Sequence, residues 1–150
     1  MSQRPTSQPL KSRRHLPRLL AVLIAVALVL NAWIHLRLAG PFDANPGALL
    51  SQGALFRIQA VADIAAALLV VLRPRPWTML IALLAAAGGA AVLALTSVVP
   101  LDGTALGLPY LFEPGWYPAK QTSLVLQLLA ALLATGALVR AARGLRPAAV

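Results

Sequence analysis

The stretch LPRLLAVLIAVALVLNAWIHLRLAG, Leu16–Gly40, decides the fold. Beyond Arg18 it holds a predominantly apolar core of about 20 residues, the length an α-helix needs to cross the hydrocarbon of a bilayer. Working outward, GALFRIQAVADIAAALLVVLRPRP forms a second such run, closed by prolines that interrupt helical hydrogen bonding. WTMLIALLAAAGGAAVLALTSVVP and QTSLVLQLLAALLATGALVRAARG supply a third and a fourth. The expected spans are about 18–38, 54–72, 77–99 and 122–139. The pattern predicts an all-α integral membrane four-helix bundle over 16–143. A flexible basic tail (1–15) and a short tail (144–150) flank it, with Gly144 placed to cap the last helix.

Composition leads to the same class. The 150 residues are 59% hydrophobic and only 11% charged, and the mean hydropathy of +0.78 lies outside the soluble range. No second compositional block marks a further domain. The absence of cysteine excludes a thiol–disulfide relay, a structural disulfide and a thiolate metal site.

Orientation follows from the basic residues, because short loops rich in Lys and Arg stay cytoplasmic during insertion. Ten of the thirteen fall in the N-terminal segment, the second loop (Arg73, Arg75) and the C-terminal segment; Arg37, Arg57 and Lys120 fall on the other side. Both termini are expected in the cytoplasm, in a bacterial plasma membrane, with anionic lipid attracted to that face. The net charge of +9 is scattered over tails and loop ends, without the folded basic face that nucleic-acid binding requires. A signal peptide is the rival reading of the first span. It lacks small residues at both critical cleavage positions, since Leu38 precedes Gly40 and Leu30 precedes Ala32.

Two loops are expected outside. The first, GPFDANPGALLSQ, combines turn-forming residues with a short apolar piece for the membrane surface. In the second, PLDGTALGLPYLFEPGWYPAKQ, the aromatic side chains Tyr110, Phe112, Trp116 and Tyr117 suit an interfacial belt. Glu113, Trp116 and Tyr117 are also candidates to cap a site or meet a partner. Small residues four apart, Ala62 with Ala66, Ala85 with Gly89 and Ala130 with Ala134, predict close helix approach, with the third span approached most closely.

Polar residues inside the spans are the candidate site. At about 1.5 Å of rise per residue, Asp63 lies roughly 13 Å and Gln59 about 8 Å below the outer surface. Asn31 comes out level with Asp63, and His35 level with Gln59; within each helix the pair is four apart and shares a face. Gln127 of the fourth span reaches the same zone. Asn31, His35, Gln59, Asp63 and Gln127 are therefore expected to converge, as an ionisable group at that depth normally faces the interior with a partner. Such a cluster is either a site for a small ligand, a quinone headgroup or a proton, or hydrogen-bonded glue between helices.

Specific chemistries find little support. A lone His35 cannot supply paired haem ligands, and no di-metal pattern, nucleophile motif or phosphate loop is present. No catalytic residue, metal ligand or cofactor is assigned. HL at His35 and Leu36, LFRIQAV at Leu55 to Val61, RPRP at Arg73 to Pro76 and EPGWYP at Glu113 to Pro118 resemble an uncharacterised family of small four-span membrane proteins from actinobacteria. In outline the fold is also similar to the DoxX-like four-helix membrane proteins. The resemblance implies topology and leaves function open. Three function classes stand: a non-catalytic accessory or assembly subunit with a membrane-protein partner or a second copy; a small transporter or proton-linked carrier using Asp63 and His35; and a quinone- or lipid-binding enzyme subunit. A dual-topology multidrug exporter is similar in size, but it has little charge bias and carries its carboxylate in the first span.

Overall fold

The computed structural model describes residues 15–144, so the expectations for the tails lie outside the described residues, except at their inner edges. There α1 already begins at His15 and α4 continues to Gly144, which is helical rather than a cap. The helices are α1 (His15–Phe42), α2 (Gln52–Leu72), α3 (Pro76–Val98) and α4 (Pro118–Gly144). All four are long and apolar enough to cross a membrane. They form an all-α four-helix bundle in which each helix packs on its neighbours in chain order and α4 returns to α1.

Local chemistry sets the helix ends. Ser51 caps α2, its hydroxyl accepting from Ala54 N–H at 3.0 Å. Arg73 precedes Pro74, which disfavours helical backbone, and α2 stops there. Pro76 and Pro118 open α3 and α4, where a missing N–H leaves nothing unpaired. Thr78 closes the turn between α2 and α3 by accepting from Arg75 N–H at 3.1 Å.

The core sets large side chains against alanine. Ile24 and Leu28 of α1 and Val70 of α2 are fully buried among Ala66, Ala82, Ala86, Ala130 and Ala134. Close packing of this kind replaces the hydrophobic drive between helices in lipid. Two packing expectations are corrected. Ala62 faces outward, and Ala60, Ala66 and Ala67 make the inner face of α2 instead. The most deeply embedded helix is α1 rather than α3, because α1 carries the bulky residues that fill the alanine faces of the others; among neighbouring helices α2 and α3 meet least.

The outer loops are built rather than slack. In the second, β1 (Leu101–Asp102) pairs antiparallel with β2 (Tyr110–Leu111) around a short 3-10 turn. Gly107, at φ 72°, takes the left-handed conformation that closes this turn. Its carbonyl accepts from Leu49 N–H at 2.8 Å, and Asn45 Nδ2 donates to the Tyr110 carbonyl at 2.9 Å, so the loops are stitched together. A bidentate ion pair from Arg57 to Asp43, at 2.6 and 2.9 Å, ties the first loop to α2.

Candidate functional site

Asp63 is fully buried, and the helical rise places it level with Asn31, as expected. Asn31 Nδ2 donates to Asp63 Oδ2 at 2.7 Å. Gln59 Nε2 donates to Asp63 Oδ1 at 3.0 Å and to the Ala85 carbonyl at 3.2 Å. From α4, Ser123 Oγ donates to Asn31 Oδ1 at 2.7 Å, and Gln127 Nε2 lies 3.4 Å from Ser123 Oγ. Carboxylates and carbonyls only accept, so these partners fix which way the Asn31 and Gln59 amides point. The result is a one-way donor chain. It runs from Gln127 through Ser123 and Asn31 to Asp63, with Gln59 donating from the other side, and it joins all four helices.

A cavity of about 380 Å³ lies beside this chain, toward the outer loops. Its floor and inner wall include Gln59, His35, Ser123, Gly88 and Gly89; Leu38, Leu55, Phe56, Val92 and Leu93 make it largely apolar, and Leu111, Glu113 and Tyr117 stand at the outer end. That volume suits a small-molecule site, which combines apolar walls with a few fixed polar groups. His35 Nδ1 lies 3.0 Å from the Asn31 carbonyl, so it carries the ring proton and Nε2 is left as an acceptor. The ring stands edge-on to Phe56 at 5.3 Å between centroids. Gly89 is required by the neighbouring amides: a Cβ there would fall 2.9 Å from Gln59 Nε2 and 3.0 Å from Gln127 Oε1. That Gln127 oxygen is buried and has no hydrogen-bond partner among the described residues. Ile58 and Val92 line the cavity yet are each 54% exposed. With exposed Gly88, they show that it opens sideways between α2 and α3.

At the mouth, Glu113 N–H donates to the Thr96 carbonyl at 2.9 Å, anchoring the loop to α3. Lys120 is only 3% exposed. Its ammonium donates to the Glu113 main-chain carbonyl and lies 5.1 Å from the Trp116 ring centroid. Burial first, and then the Glu113 carboxylate, push the Tyr117 hydroxyl up, keeping it a donor.

The structure therefore brings Asn31, Gln59 and Asp63 into direct contact and adds Gln127 through Ser123. His35 joins through the Asn31 backbone and does not pair with Gln59. Of the five expected binding residues, His35 and Gln59 line the cavity; Asn31, Asp63 and Gln127 lie behind it. Glu113 and Tyr117 stand at the mouth, whereas Trp116 is exposed and turned from the cavity. Sequence reasoning missed Ser123 and Lys120. Ser123 sits four before Gln127 on one helical face, a signal that was available. Lys120 reads as an ordinary loop charge until the chain folds back on it. No three His, Asp or Glu side chains among the described residues come together to hold a metal.

The fold and site define a class: an all-α bundle of four apolar helices of membrane-spanning length, with a polar network buried across it and a cavity at one end. Compared with models of known families, with curated proteins and with solved structures, the chain matches none.

Proposed function

We propose that this chain is a non-catalytic multi-pass protein of the plasma membrane, with both termini cytoplasmic, that binds a small membrane-soluble molecule in the outer half of its bundle. The cavity carries the reading: apolar walls surround a polar floor whose amides are held in place by the donor chain. A network serving only as glue needs no adjoining space. The accessory-subunit alternative would use alanine-rich faces and the outer loop for a partner; Ala66, Ala82, Ala86, Ala130 and Ala134 are used inside the bundle, which leaves it the exposed Ala62, Ala87 and Ala91 and the loop. Catalysis lacks support, because Ser123 donates its proton to Asn31 rather than to His35 and so is not activated as a nucleophile. A proton-linked carrier is the second reading, favoured by a buried Asp63 whose hydrogen-bond partners are neutral amides.

Orientation is supported by Arg73, Arg75, Arg140 and Arg143, which gather at the end opposite the stitched loops. Arg75 and Arg140 flank a shallow cleft there that suits anionic headgroups. Single cysteines introduced at Ala105 and Pro74 test this in intact cells, where an impermeant thiol reagent should label Ala105→Cys alone. For the binding reading, full-length protein released from nanodiscs into a mass spectrometer should carry an adduct of constant mass. Leu93→Trp, which fills the cavity, should abolish it. Bare chain in both samples, with no membrane extract raising the unfolding temperature of the wild type, would sink the binding reading.

A further inference from the structure

We infer that the cavity takes a neutral, hydroxyl-headed single-chain amphiphile, which enters sideways from the bilayer between α2 and α3. This inference rests on the binding reading above and adds the ligand's chemistry and its route.

The chemistry follows from which hydrogen-bonding positions remain free at the floor. Gln59 Nε2 is committed to Asp63 and to the Ala85 carbonyl, which leaves Oε1 for the cavity that Gln59 lines. His35 commits Nδ1 to the Asn31 carbonyl and leaves Nε2. Behind the floor, against Gly89, Gln127 Oε1 is buried and has no partner among the described residues. The two that line the cavity are acceptors, as is Gln127 Oε1 behind Gly89, and Gln59 Nε2, His35 Nδ1 and Ser123 Oγ beside them are already committed as donors. Buried acceptors require donors, so the head that fits carries hydroxyl hydrogens. Charge narrows the class: at the outer end the Lys120 ammonium and the Glu113 carboxylate stand together and offset each other, so no unbalanced charge faces the cavity to pair with a charged head. A neutral head needs no such partner.

The route follows from the thin contact between α2 and α3. Ile58 and Val92 belong both to the cavity wall and to the outer surface of the bundle, which in a bilayer faces acyl chains. The stitched loops cover the outer end. An acyl chain can therefore lie in the side gap while its head reaches the floor. Gly88 is the sill of that gap, and a Cβ there would meet nothing within 4 Å.

The test uses the full chain in phosphatidylglycerol nanodiscs with a monoacylglycerol carrying a diazirine in its acyl chain. Photolysis should mark Ile58, Val92 and Leu93 by peptide mapping. Excess 1-oleoylglycerol should suppress that labelling, and oleate and oleylamine should need at least about tenfold higher concentrations to match it, the weight of one hydrogen bond to a buried acceptor. Gly88→Trp should suppress labelling to the same degree without lowering the unfolding temperature. Gly136→Trp, which starts from equally open space on α4, should leave labelling intact. Equal competition by oleate or oleylamine overturns the neutral hydroxyl head but leaves the binding reading standing. Full labelling of Gly88→Trp overturns the lateral route alone. Absence of labelling that any of the three amphiphiles displaces overturns this inference, while an adduct of another class in the nanodisc experiment would preserve the binding reading.

Discussion

Asp63 shows how much a single carboxylate can dictate. Both of its oxygens accept from amide nitrogens whose orientation other partners hold, so Asp63→Asn is not the gentle change its shape suggests. Its new NH₂ must face the NH₂ of Asn31 or Gln59, and turning Gln59 over would forfeit the bond to Ala85. We expect Asp63→Asn to lose about 1–3 kcal/mol, one unsatisfied buried group, and Asp63→Leu roughly twice that by stranding both donors. Chemical unfolding of the purified bundle should rank wild type above Asn above Leu; equal stability of wild type and Asn would refute the one-way chain. Asp43 makes a second test, outside the spans. Its hydrogen bonds to Arg57 and then to Ser51 hold its carboxyl at about 2, below the usual 3.8. A depressed acid stabilises the fold fully above its unfolded value and stops doing so as pH falls through the folded one. The unfolding temperature of wild type should exceed that of Asp43→Asn at neutral pH, and the gap should close between pH 3.8 and about 2. The sequence made Asp63 and its level with Asn31 legible, because depth follows from helical rise alone. The donor directions were not legible, since they depend on Ser123 and Ala85, from helices distant in the chain.

Among the elements, the four helices were legible to within about a turn, because a bilayer demands a length and an apolarity that few other structures require. The structure extends α1 and α4 by about a turn at each end, where amphipathic residues continue a helix into the interface. The β1–β2 hairpin was not legible: two-residue strands carry no periodicity, and a loop register depends on Gly107 meeting Leu49 from another segment. The small-residue pattern found the right helices but not always the right face, as Ala62 shows. Gly89 remains the sharpest element-scale test. Gly89→Leu should lower stability by about 1–3 kcal/mol, the usual penalty of overpacking, by pushing into Gln59 and Gln127. Ala94→Leu, on the exposed face of α3, should be close to neutral in the same thermal measurement. Similar losses in the two variants would mean that α3 does not present Gly89 to the amides.

At the scale of the whole molecule the bundle is uneven, stitched at its loop end and loosest between α2 and α3. The order of the donor chain along the polypeptide has a bearing on how such a bundle is made. Asn31 and Gln59, the direct partners of Asp63, both belong to the first two helices, whereas Ser123 and Gln127 are synthesised last. The least lipid-compatible residue in the spans is thus already matched when only the first helical pair has left the ribosome. An Asp near the centre of a lone helix opposes insertion by about 2.5–3.5 kcal/mol, and this early pairing offsets part of that opposition. A nascent chain ending just after Arg75 should therefore integrate both helices, keeping a glycan acceptor site appended after Arg75 on the cytoplasmic side of microsomes and unmodified. Replacing Asn31 and Gln59 together by leucine should raise the glycosylated fraction, even though leucine is the more apolar residue. No rise would mean that Asp63 enters the bilayer unaided and that its partners matter only after synthesis is complete.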